Sequence, residues 1–189
     1  MNTEIIKNDY QLMTDAYATT DPKMLEYYQE AARITEEAIK AGNKVLLCGN
    51  GGSASTASHI TNDFISHMIN WERNGYPAVA LTDPSVLTAI SNDYGYEHVF
   101  ERQGNALGKQ GDVLWAFSTS GNSKNIILAV EEAKRKGLKT VIFTGKGGGK
   151  LKDMCDVWCP VNTEDLIAAE AMHLYIIHSV AKVVEADLA

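Results

Sequence analysis

Two stretches of this 189-residue chain are suited to holding an anion. Cys48-Gly49-Asn50-Gly51-Gly52-Ser53 and Ser118-Thr119-Ser120-Gly121-Asn122-Ser123 each follow a short apolar run, and each leads into a helical pattern. Small residues let the backbone approach an anion closely, and the N–H groups at a helix start have no intrahelical partner. Serine and threonine hydroxyls complete an oxygen-binding shell. The chemistry implied is a cradle for a phosphate or a sugar phosphate that needs no obligatory cation. Either loop alone reads equally well as a tight turn with capping serines. Two of them, at strand ends where an open parallel sheet binds ligands, favour the cradle.

Ionisable residues stand close by. His59 and Asp63 lie four apart on the helix leaving the first loop, so they share a face, and His67 continues that stripe. On the last helical pattern, Glu170, His173 and His178 cluster. At about 100° per residue, Glu170 falls roughly 60° from His173 and 80° from His178. Two histidines with two carboxylates suit a zinc-like site or an acid–base pair. A lone helical histidine is more often packed or solvated, and spacing alone does not bring two helices together. Nucleotide motifs are absent: there is no GxxxxGK[ST], and no GxGxxG follows the first apolar run. Gly145-Lys146-Gly147-Gly148-Gly149-Lys150 resembles a glycine-rich loop and reads as a flexible strand-to-helix turn.

The elements that must position these groups follow from hydrophobic patterning. Residues 3–20 predict a helix, and Asp21-Pro22 reads as an N-cap and first-turn proline for a second helix that stops at Gly42. Five short apolar runs predict strands, at 44–48, 77–82, 112–117, 139–144 and 157–161. Helical patterns lie between them, the clearest from Ser123 to Lys136. A long terminal helix is expected from Thr163 to about Ala186, capped by Thr163-Glu164-Asp165. Continuous apolar strands alternating with helices mean a parallel sheet buried on both faces. The expected architecture is one doubly wound α/β domain over residues 1–189, with residues 1–42 as a helical N-terminal arm.

Composition bounds the rest. The formal net charge of −7 argues against a nucleic-acid partner, whose grip on phosphates rests on Lys and Arg. Three cysteines, Cys48, Cys155 and Cys159, without CxxC spacing fit a reducing compartment. The start, MNTEIIKNDY, lacks the apolar run of a signal peptide, and no stretch reads as long and apolar enough to span a membrane. The expected address is the cytoplasm, with no membrane partner.

The motifs then match a known family. CGNGGSAS…H, Asn92-Asp93-Tyr94-Gly95 as a turn, the Ser118–Ser123 run, Thr144-Gly145-Lys146-Gly147-Gly148-Gly149 and a terminal helix ending in HxxxxH resemble the phosphoheptose isomerases, which are sugar isomerase (SIS) domain proteins. The resemblance covers nearly the whole chain. It implies a flavodoxin-like αβα sandwich with a five-stranded parallel sheet, and a homotetramer with active sites between subunits. The implied reaction converts sedoheptulose 7-phosphate to D-glycero-D-manno-heptose 7-phosphate, toward nucleotide-activated heptose for surface glycans such as lipopolysaccharide or capsule. Carried over by position, Asn50, Gly51, Gly52, Asn92, Asp93, Ser118, Thr119, Ser120 and Ser123 would contact substrate, with Ser53 and Glu170 beside them. His59, Asp63, Glu170 and His178 would hold one Zn2+ per subunit, and Asp63 and His178 would be the catalytic carboxylate and histidine.

The match departs from the family pattern where the chemistry is. The family usually has Glu where this chain has Asp63, and Gln where it has Glu170. Arginines usual in the family are replaced by Ala168 and His67. These departures suggest an altered sugar-phosphate substrate. The rival readings are another SIS isomerase or lyase, and a non-catalytic relative that binds a sugar phosphate or the bacterial replication initiator. Retention of His59 and His178 favours the enzyme.

Overall fold

A computed structural model describes residues 3–188, so Met1, Asn2 and Ala189 of the expected single domain lie outside the described residues. Five apolar runs form the strands β1 (Val45–Gly49), β2 (Ala78–Ala80), β3 (Val113–Phe117), β4 (Lys139–Thr144) and β5 (Val157–Pro160). They pair in parallel in the order β2-β1-β3-β4-β5. This is the flavodoxin-like order, and the chain reverses its winding direction between β1 and β3. Every residue of β1 and β3 is buried, which is why those segments read as unbroken apolar runs.

Among the described residues seven α-helices pack on the sheet or on one another: α1 (Thr3–Ala18), α2 (Pro22–Lys40), α3 (Gly52–Ile65), α4 (Pro84–Tyr94), α5 (Val99–Leu107), α6 (Lys124–Arg135) and α7 (Leu166–Leu188). Alternate strand residues face opposite layers. Leu47, Trp115 and Phe143 pack with Ala31, Ile60, Phe64, Ile177 and Val180 from α2, α3 and α7. Leu46, Leu114 and Ile142 pack with Phe100, Ile126 and Val130 from α5 and α6. The indole of Trp115 donates to the buried Thr35 hydroxyl at 3.0 Å, so its polar edge is satisfied inside the core.

Local chemistry sets the helix ends. Asp21 caps α2, its carboxylate accepting from the Lys23 N–H at 2.8 Å. Losing such a cap costs about 1 kcal/mol. At the start of α7 the effective cap is Asp165, whose Oδ1 accepts from Ile167 and Ala168. Thr163 instead accepts from the Asp165 N–H.

Two expectations need correction. Asn92, Asp93 and Tyr94, expected in a turn, are the last turn of α4, and the chain turns at Gly95, with φ +99°. Helix α7 is also long and apolar enough, by length and composition, to cross a membrane. Half of that apolar stretch is buried inside the protein, against α2 and α3, which accounts for its composition as a core helix.

Candidate active site

Strands β1 and β3 are neighbours, and Gly49 pairs with Phe117 at their carboxyl ends. The two small-residue loops therefore emerge side by side at the switch point. Gly51 begins the first turn with φ +54°, and no side chain caps α3. A Cβ on Gly52 would lie 1.9 Å from Glu170 Oε1, so the Glu170 carboxylate rests directly against the start of α3. Glycine here makes room for a negative group at a positive helix end. Ser53, in the first turn, is buried.

The two loops are tied together. Asn50 Nδ2 donates to Asn125 Oδ1 at 3.0 Å, and Asn125 Nδ2 donates back to Asn50 Oδ1 at 2.7 Å. Tyr96 adds a hydroxyl to the same Asn50 oxygen at 2.8 Å. Asn125 is 3% exposed, in the first turn of α6. Neither Asn125 nor Tyr96 is apparent from the sequence; the only hint is that Asn125 follows the serine run by two residues.

In the second loop, Ser118 is buried and donates to Ser123, the N-cap of α6. Ser120 accepts from the Asn122 N–H. The glycine-rich segment at 145–149 is not the free turn expected from sequence but a buttress. Gly145 donates to the Thr119 carbonyl at 2.9 Å, and Leu151 donates to Gly121 at 3.1 Å. A Cβ on Gly121 would lie 2.0 Å from the Gly148 carbonyl, and one on Gly149 would lie 2.5 Å from that of Gly121. Between the two segments opens a cleft of about 190 Å³ lined by Thr119, Ser120, Lys146 and Glu164 among others. Lys146 and Glu164 bring one charge of each sign to its wall. Asn92 and Asp93 are exposed and bonded to each other, and neither hydrogen-bonds to the two loops.

Helices α3 and α7 do meet. His59 Nε2 lies 2.9 Å from His178 Nε2, and Asp63 Oδ2 lies 3.6 Å from the first and 3.3 Å from the second. The His178 Nδ1 faces the Leu174 carbonyl at 2.5 Å. That contact places the proton on Nδ1 and leaves Nε2 as the working atom. Asp63 Oδ2 is buried without a hydrogen-bond partner. An orphaned carboxylate oxygen between two imidazole nitrogens is what a divalent ion would satisfy, and His, Asp and His are donors that zinc accepts. Among the described residues, these three are the group whose ligand atoms converge. Glu170 lies outside that group, on the wall of the roughly 310 Å³ cleft it shares with His59 and Gly52.

Two histidines of the sequence pattern lie elsewhere. His173 is 1% exposed and turned onto Phe117 and Phe143 of the sheet, and neither ring nitrogen has a hydrogen-bond partner. Burial pushes it down to about 4, so it is neutral at pH 7. His67 falls off the α3 stripe because the helix ends at Ile65, and it stacks on Trp71 at 3.8 Å. The thiols of Cys48 and Cys159 are buried and that of Cys155 partly so; burial raises all three above the usual thiol range.

Known proteins resemble this arrangement. The SIS-domain family model matches residues 11–145. The phosphoheptose isomerase of Clostridium acetobutylicum is 47% identical over 169 residues, covering 89% of this chain and 86% of that protein. The one from Aliarcobacter butzleri is 41% identical across 100% of this chain and 99% of its own. Among solved structures, phosphoheptose isomerase GmhA from Neisseria gonorrhoeae matches with a TM-score of 0.86 at 34% identity, covering 97% of this chain and 96% of that one. A phosphoheptose isomerase from Francisella tularensis matches with a TM-score of 0.90 at 30% identity, covering 98% of both chains.

Proposed function

The chain belongs to the SIS-domain phosphoheptose isomerases, and on that premise we propose that it converts sedoheptulose 7-phosphate to D-glycero-D-manno-heptose 7-phosphate. The observation that carries this reading is the meeting of His59, Asp63 and His178 beside a serine cradle. The product fits a place early in making nucleotide-activated heptose for surface glycans such as lipopolysaccharide or capsule.

In this reading the substrate phosphate sits among Ser118, Thr119, Ser120 and Ser123, and the sugar lies along Asn50, Gly51, Gly52 and Ser53. Asn92 and Asp93 close the far side. Isomerisation removes a proton beside a carbonyl, passes through an enediol and returns a proton to the neighbouring carbon. Asp63 is the base and His178 the acid, working through Nε2. A zinc ion would take His59, Asp63 and the same Nε2 of His178, which is a proton donor only while it is not a metal ligand, and Glu170 would have to move in from the cleft wall to be a fourth ligand. Such an ion would supply polarisation of the carbonyl. The remote phosphate grip fixes the reacting carbons against Asp63 and His178.

Exposed Ile5, Ile6 and Tyr10 on α1 support packing of the N-terminal arm in a homotetramer. The three free thiols accord with a cytoplasmic setting. Asp63, Glu170, Ala168 and His67, which differ from the usual family residues, favour a second reading, isomerisation of another sugar phosphate. The test incubates purified protein with sedoheptulose 7-phosphate, with zinc and with chelator, and follows aldose formation. No turnover under either condition, with the assembly intact, sinks the isomerase reading. Faster turnover of a different ketose phosphate selects the second one.

A further inference from the structure

Glu185 lies on α7 seven residues beyond His178, two turns on and nearly on the same face. It is 2% exposed. A buried charge costs several kcal/mol unless it is paired and hydrogen-bonded. Glu185 is both. Its carboxylate accepts from the N–H groups of Met68 at 2.9 Å, Ile69 at 2.8 Å and Asn70 at 2.5 Å. Arg73 Nε lies 3.0 Å from Oε2. Burial pushes the carboxyl up, but the three N–H groups and Arg73 outweigh it and hold it at about 2.

The same guanidinium faces the other way as well. Nη2 donates to the carbonyl of Asp63 at 2.7 Å, and Nη1 donates to that of Phe64 at 3.0 Å. These carbonyls belong to the last turn of α3, where intrahelical donors run out and a cation is favoured. Arg73 also stacks 4.0 Å from the Tyr76 ring centre. The residues from Ser66 to Pro77 form no helix or strand, so the connection from α3 back to the sheet offers little stiffness of its own.

We propose that Arg73 and Glu185 are positioning residues that clasp the last turn of α3, with Asp63 on it, to α7 two turns beyond His178, and so set the approach of His59, Asp63 and His178. Neither touches the cluster. Arg73 acts through the backbone of Asp63, and Glu185 holds Arg73 in place. A role limited to pinning the 66–77 connection would leave the cluster unchanged when the clasp is altered. The inference uses the isomerase reading only for what the cluster does.

Arg73→Lys keeps the charge beside Glu185 and loses the forked donation to the two carbonyls. It is tested in the full chain by long-range 1H–15N NMR of the histidine rings without metal, by cobalt(II) titration and by kinetics. The clasp predicts a folded protein in which the His59 and His178 ring signals shift. Cobalt binds at least tenfold more weakly, and kcat falls about tenfold at an unchanged KM. Ring signals that superimpose on those of the unaltered protein, with cobalt affinity also unchanged, overturn the proposal. If Arg73→Lys does not fold, the isosteric Glu185→Gln gives the same comparison. Failure of the isomerase reading shows differently: the unaltered protein neither turns over substrate nor binds cobalt, and the ring signals still decide the clasp.

Discussion

Nε2 of His59 stands 2.9 Å from Nε2 of His178, edge to face, across 119 residues of chain. Because Nδ1 of His178 is committed to Leu174, that Nε2 is the atom free to exchange a proton. His178→Ala is expected to cut kcat at least about a hundredfold, the scale of a lost general acid. Phosphate binding at the serine loop, measured by calorimetry, should stay near normal. Full activity in His178→Ala would remove its assigned role.

Asp63 Oδ2 has no hydrogen-bond partner although it is buried. If an ion satisfies it, dialysis against a chelator lowers both turnover and Tm, because a ligand that binds only the folded state stabilises it. Stoichiometric zinc should restore both. Protein free of divalent metal by elemental analysis, yet as active as before, removes the zinc assignment and leaves the acid–base pair standing.

The glycines of the two loops should respond differently to alanine. At Gly121 the new Cβ meets a backbone carbonyl 2.0 Å away, and φ is +65°. Gly121→Ala should lose about 2 kcal/mol or more of stability, along with its phosphate affinity. At Gly52 the obstacle is the movable end of Glu170. Gly52→Ala should keep its Tm and change metal affinity or kcat instead. Thermal melts and phosphate titrations separate the two; equal melting points would contradict the contrast.

His173 is held near pKa 4 by burial, below its usual 6.5. A depressed histidine contributes stability that is fully present above the unfolded pKa. That stability is lost as pH falls, because the unfolded chain takes up the proton first. The window is pH 6.5 down to about 4, and the loss amounts to roughly 3 kcal/mol. His173→Phe should flatten urea-derived stability across that window. An unchanged slope would mean that another group titrates there.

Much of this arrangement is legible in the residue order. Five apolar runs become five parallel strands because strands buried on both faces cannot carry alternating polarity. Asp21-Pro22 marks a helix start because its geometry is local. The pairing of His59 with His178 is not legible, since helical spacing fixes a face but not its neighbour. His173 clusters with His178 in the sequence, but five residues rotate it by about 140°, into the aromatic core. Arg73 and Glu185 carry no motif, because apart from each other and Tyr76 their partners are backbone groups, which any sequence supplies.

The reciprocal amides of Asn50 and Asn125 have one more consequence. They tie the loop before His59 to the serine loop, so the two are held at one spacing. The fold thereby acts as a fixed gauge. In the proposed reading, a sugar held by its phosphate would present its carbons at one set span from Asp63 and His178. On that reading a chain too short would hang below them and one too long would be pushed past, so that length itself would select which carbonyl reacts.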